Sequence, residues 1–238
     1  MKNVEEFYIL GLPIDTEIGE CGFIKVKDYP DYFMDLQIVS MNKGKIIYDY
    51  TLLNKSGQLT SFIEQLNELD FFDIVTGIPD LTNAYARLFQ KVFNDESILQ
   101  KITKDNIEHY RSLILKMQCI KEEIVNPNPE IQRAIERSRR VKAQEAEKLT
   151  FSDMVTSTVI GSGIDYELIN EWSIYRLYMT FHRISKFKNY ETSTLFATVS
   201  SEKVKIENWS THINLFEEEK HFVSQEQFNK TTGSAFSE

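Results

Sequence analysis

The chain has 238 residues, enough for one large domain or two small ones. Its 42% hydrophobic and 26% charged content exclude wholesale disorder. Twenty-seven basic against 36 acidic side chains leave a net charge of −9, which excludes a general nucleic-acid binder because phosphate recognition needs a positive footprint.

Phe7–Leu12 (FYILGL) is a short apolar run ended by Gly11 and Pro13, and Gly22–Lys27 (GFIKVK) alternates apolar with basic residues. Both read as short strands or extended arms of a small β element. From Pro30 the spacing turns helical, with Asp28 as cap and Gly44 as a point of interruption. Three further helices are predicted over Ser61–Leu69, Asp80–Phe93 and Asn106–Val125, the last with Thr103 available as a cap.

Asn126-Pro127-Asn128-Pro129 is the strongest break in the chain, because proline disfavours helix in the residue before it. Glu130–Leu149 follows, rich in helix formers and mixed charge but thin in apolar residues, and reads as a solvated connecting helix. Thr150 with Asp153 opens a short helix that Gly161-Ser162-Gly163 closes. The expected fold is mainly α, with a small N-terminal β element and a charged connecting helix. Residues 1–125 form an α+β module, 126–149 the connector, 150–230 a helical module and 231–238 a flexible tail.

Asp165 starts the densest aromatic segment, Tyr166–Phe196. Ile174, Leu177, Tyr178, Phe181 and Ile184 form one stripe at helical spacing, and Trp172, Tyr175 and Met179 a second on a neighbouring face. A surface helix buries one stripe, so a helix with two is either central to its domain or covered by another chain. Aromatic bulk and an adaptable thioether make Trp172, Tyr175 and Met179 the candidate protein-binding residues.

Nothing in the chain resembles a catalytic set. Cys21 and Cys119 are too few for a disulfide framework or a structural zinc site, and they fit a reducing interior. His109, His182, His212 and His221 make no ligand pair at helical spacing, so no metal or cofactor is expected. Gly161-Ser162-Gly163 lacks the further glycines and the lysine of a phosphate loop and reads as a turn. Arg133, Arg137, Arg139, Arg140 and Lys142 form the one basic cluster, but Glu130, Glu136, Glu145 and Glu147 cancel most of its field. An enzyme is therefore not expected. The amino terminus lacks a signal-peptide pattern, and no apolar run approaches the roughly 18 residues that span a bilayer, so no membrane contact is expected.

The opening YILGLPIDTEIGECGFIKVKDYPDY resembles the start of tail-assembly chaperones and related tail-morphogenesis proteins of tailed bacteriophages of Gram-positive hosts. The later GIDYELINEWSIYRLYMTFHRI and STLFATVSSEKVKIENWSTHINLFEEE resemble the helical ending of the same group. The resemblance lies in layout across most of the chain, and no binding residue carries over from it. It implies a non-enzymatic factor in the host cytoplasm that keeps the tape-measure protein, or another tail protein, soluble until assembly; a homo-oligomer stays open. The length and the Asn-Pro-Asn-Pro break depart from the shorter chaperone product. They leave open a structural tail or baseplate component of the virion; a second rival, resting on the basic cluster instead, is a nucleic-acid-binding regulator using Arg133–Lys142.

Overall fold

The computed structural model describes residues 4–126, 128–145 and 149–216; the tail expected at 231–238, the Glu217–Glu219 run and His221 lie outside them. Eleven α-helices, two short 3-10 helices (Val26–Asp28 and Ile98–Lys101) and one two-stranded hairpin form the regular structure among the described residues, so the fold is mainly α with a small N-terminal β element.

The β element is not where the apolar runs placed it. FYILGL belongs to a helix, α1 (Val4–Leu10), which Gly11 ends at φ 68°. A run this short carries no period of its own, and packing decides: Tyr8 is buried, edge-on to Phe23 and Tyr175. The hairpin lies between the two predicted runs, pairing β1 (Ile14–Thr16) with β2 (Gly19–Cys21) in the register Ile14 to Cys21. GFIKVK is extended only as far as Lys25, where the 3-10 helix Val26–Asp28 begins, and belongs to no hairpin. Ile24 and Val26 face inward as the alternation requires, while the main chain bonds in turn to several elements. Gly22 N–H donates to the Val92 carbonyl at 2.7 Å, Ile24 N–H to Gln118 Oε1 at 3.2 Å and Val26 N–H to the Trp172 carbonyl at 2.9 Å.

The next helices are α2 (Tyr29–Ser40), with Pro30 in its first turn, and α3 (Lys43–Leu53). The break between them falls at Met41-Asn42, where Asn42 accepts from Lys45 N–H, and Gly44 sits harmlessly in the first turn of α3. After α4 (Thr60–Glu68) comes α5 (Phe71–Gly77), which the spacing did not single out; Asp70 caps it. Then follow α6 (Pro79–Phe93) and α7 (Ile107–Met117). The last is shorter than the predicted Asn106–Val125, because Cys119 turns left-handed at φ 57° and Ile120 N–H bonds back to the Leu115 carbonyl, closing the helix. Asn106, not Thr103, takes the cap position.

The core forms where α2, α6 and α7 meet, with Leu36, Val39, Leu88, Phe89, Ile114 and Met117 fully buried. Buried Arg111 on α7 closes the end of α2. Its Nε and Nη2 donate to the Val39 and Ser40 carbonyls, each at 2.7 Å, and Nη1 meets Glu122 at 2.5 Å. Positive charge at a helix C-terminus satisfies orphan carbonyls and the dipole together.

Helix α8 (Pro129–Glu145) begins where the proline pair predicts. It rests on the body through buried Gln132, whose Oε1 accepts from Asn126 N–H and whose Nε2 donates to Glu136. Next, α9 (Phe151–Ser162) starts from the Thr150–Asp153 reciprocal cap and ends at Gly163 with φ 70°. The aromatic segment is two helices rather than one: α10 (Tyr166–Asn170) and α11 (Ile174–Val199). Ser173 separates them as a new cap, its Oγ accepting from Arg176 N–H.

Candidate protein-contact surface

The α10–α11 junction docks on the segment 22–27. Besides the Val26–Trp172 bond, Ile174 N–H donates to the Ile24 carbonyl at 3.2 Å. Glu171, exposed at this seam, bridges Lys25 and Lys27. The two ammonium groups hold its carboxyl at about 2, well below the ordinary 4.5. This polar clamp and the two main-chain bonds fix the orientation of everything from Trp172 onward.

The structure does not bring Trp172, Tyr175 and Met179 to one open face. Trp172 precedes α11, is half-buried, and carries the Arg176 guanidinium 4.3 Å above its ring. Tyr175 is buried, edge-on to Tyr8 at 5.2 Å, and burial pushes its hydroxyl up to about 12. Met179 is half-buried against the same core. Both stripes of α11 are therefore consumed near its start, one by Ile174 and Leu177 and the other by Tyr175.

Large apolar side chains are open on either side of that zone. On α10, Tyr166 is 52% and Leu168 is 61% exposed, beside Trp172 in sequence. At the far end of α11, Leu195, Phe196 and Val199 are 68%, 59% and 77% exposed. These last three were missed because Lys188 and Glu191 interrupt the stripe. The signal was nevertheless present, since Leu195 and Val199 continue the spacing of Leu177, Phe181 and Ile184.

The remaining candidates that are described stand apart from one another. No group of three or more His, Cys, Asp or Glu side chains poised for a metal occurs among the described residues. His212 Nε2 lies 3.9 Å from Glu5, His182 meets the Phe181 ring, and His109 the Tyr110 ring. Gly161 lies inside α9 rather than in a phosphate cradle. Arg133, Arg137, Arg139 and Arg140 are exposed on α8; the Lys142 side chain lies outside the description. A cavity of about 300 Å³ beneath α8 mixes Lys45, Arg139 and Arg140 with Glu123 and Glu136. No described helix is long and apolar enough to cross a membrane.

A mainly helical protein whose two halves share one core, with exposed apolar side chains on its C-terminal half, is the class that this geometry defines. Residues 2–127 match the family model of the YomV N-terminal domain, and residues 142–214 that of the YomV second domain. The chain is 40% identical over 225 residues to the SPbeta prophage-derived uncharacterized protein YomV of Bacillus subtilis (strain 168), covering 94% of each. The chain belongs to the YomV family. No solved structure matches it.

Proposed function

We propose that this protein is a phage-encoded assembly factor that acts by protein–protein contact in the host cytoplasm, holding an apolar helical segment of a tail protein. The tape-measure protein is the client that its resemblance to tail-assembly chaperones favours. The prophage origin of its YomV relative supports the setting. The observation that carries the contact reading is the exposure of Tyr166 and Leu168 on α10, just before half-buried Trp172 in the chain. An amphipathic helix docking at this junction finds exposed apolar side chains and the Arg176 guanidinium over the Trp172 ring.

Co-expression with the tape-measure protein of the same prophage tests this. The two are expected to co-purify, and Leu168→Asp with Trp172→Ala is expected to abolish capture with far-ultraviolet circular dichroism unchanged. Failure of the wild-type chain to hold the tape-measure protein would refute the client. Recovery of the chain in purified virions would favour a structural tail or baseplate component instead.

A further inference from the structure

Helix α9 accompanies α11 from Tyr29, on which Phe151 stacks, as far as Ile184, where Gly161 sits against the isoleucine side chain. Beyond it, residues 185–199 of α11 run on for roughly 22 Å at 1.5 Å per residue. The exposed Leu195, Phe196 and Val199 crown this overhang. At Ser200 the chain turns, and residues 204–216 return along α11 as an arm without helix or strand.

The arm is held by definite contacts. Arg183 Nη1 donates to the Trp209 carbonyl and, at 2.9 Å, to the Thr211 carbonyl. Lys186 Nζ reaches Thr211 Oγ1 at 3.0 Å, and the Phe187 and Trp209 rings meet edge-on at 5.3 Å. Ile213 is buried, and Leu215 and Phe216 pack on the core. The turn itself is light: Glu202 N–H to Ser200 Oγ, at 3.0 Å, is its side-chain bond.

We propose that two copies of this chain exchange these arms. The 204–216 arm of one copy seats along α11 of the other, and the two overhangs pack antiparallel over Leu195, Phe196 and Val199. The groove's complement is already on view, since it is the arm. Exchange therefore keeps every contact that Arg183, Lys186 and Phe187 make with the arm, and asks the chain only to run straight on at Ser200 instead of doubling back. It also covers apolar side chains that their own copy leaves in water. Charge favours this end of the molecule for self-contact. The whole chain carries −9, yet here Lys186, Lys188, Lys203 and Lys205 against Glu191, Glu202 and Glu207 leave a local charge of only +1. Like-charged copies repel least where local charge cancels. This surface is separate from Tyr166, Leu168 and Trp172, so the inference goes beyond the client reading and stands or falls without it.

Light scattering on the full chain is expected to give twice the 27.9 kDa chain mass at high micromolar concentration. Leu195→Asp with Phe196→Asp is expected to return the single-chain mass with unchanged circular dichroism. A monomeric wild type, or a variant that stays dimeric, would overturn the proposal. Exchange is read separately by placing cysteines at Phe187 and Trp209 and bridging them with a short bis-maleimide. A covalent dimer on a denaturing gel is the expected product; a bridged single chain would mean that the arm doubles back. Lys186→Cys with Thr211→Cys repeats the reading at a second arm contact and must agree.

Discussion

Gly161 tests whether α9 and α11 truly meet at the level of Ile184. It lies one residue before the end of α9 with an ordinary backbone conformation, so alanine meets no backbone strain there. A Cβ at this position would sit 2.6 Å from Ile184 Cγ2 and 2.9 Å from Cδ1. Both separations are too short for carbon–carbon contact, so the half-buried isoleucine or the helix must shift. Replacing glycine by alanine inside a helix gains about 1 kcal/mol, whereas inserting a methyl into a packed contact loses about 1–3 kcal/mol. The two effects oppose each other, and the balance is a loss of roughly 0–2 kcal/mol for Gly161→Ala. Trimming the neighbour isolates the clash. In an Ile184→Ala background the same change should stabilise by about 0.5–1 kcal/mol, because only the helix gain remains. The difference between backgrounds is the coupling energy of a double-mutant cycle, read from urea unfolding of four proteins. Gly163→Ala is the control: its φ of 70° makes alanine unfavourable by about 1 kcal/mol whatever occupies position 184. If Gly161→Ala had the same effect in both backgrounds, the two helices would not be in close approach, and the geometry that leaves the α11 overhang uncovered would be wrong.

Three other outcomes follow from particular side chains. Glu171→Gln should lower the melting temperature at neutral pH. Because the folded carboxyl is held at about 2 against an ordinary 4.5, its contribution is present above about pH 4.5 and lost as pH falls through 2. The wild-type and variant melting curves should therefore converge at the acid end, and a gap that persists there would remove the clamp from the account. Burial pushes the Cys21 thiol up to about 12 and raises the half-buried Cys119 thiol as well, so at pH 8 Cys21 should not react with Ellman's reagent until denaturant is added and Cys119 should react slowly; rapid labelling of Cys21 in the native chain would contradict its placement. Arg111→Met should destabilise by about 2–4 kcal/mol in urea, since it leaves the Val39 and Ser40 carbonyls without their donors, while exposed Glu122 stays solvated. A loss below 1 kcal/mol would mean that water replaces the guanidinium at the end of α2.

Much of the helical layout was legible because local chemistry marks it. Pro30, the Asn-Pro-Asn-Pro break and the Thr150–Asp153 cap all act within one turn, and each stands where the sequence places it. What was not legible depends on distant partners. FYILGL reads as a strand until Tyr8 finds Phe23 and Tyr175, and GFIKVK reads as half a hairpin until Trp172 and Ile174 take up its main-chain groups. The contact residues divide the same way. An excess of apolar rings on the aromatic segment was readable, but which of them remain open was not. The Ser173 cap sets Trp172 outside α11 and turns Tyr175 toward Tyr8, leaving the exposed bulk on α10 and at the tip of α11.

The seam also governs how this protein can be taken apart. The family models divide the chain between residues 127 and 142, yet Ile24 and Val26 from the first part hold Ile174 and Trp172 of the second through main-chain bonds. Tyr29 stacks on Phe151, and Tyr8 closes over Tyr175. Ile174, Tyr175 and Leu177 are buried in the core shared with the first part, so a fragment beginning at residue 142 would uncover apolar surface there. Such a fragment would adhere to helical clients whether or not the native surface does. Binding measured on it would report the uncovered core, and substitutions at Tyr166 and Leu168 would then have little effect. Client capture therefore has to be assayed on the whole chain, where those two side chains are open and Tyr175 is not.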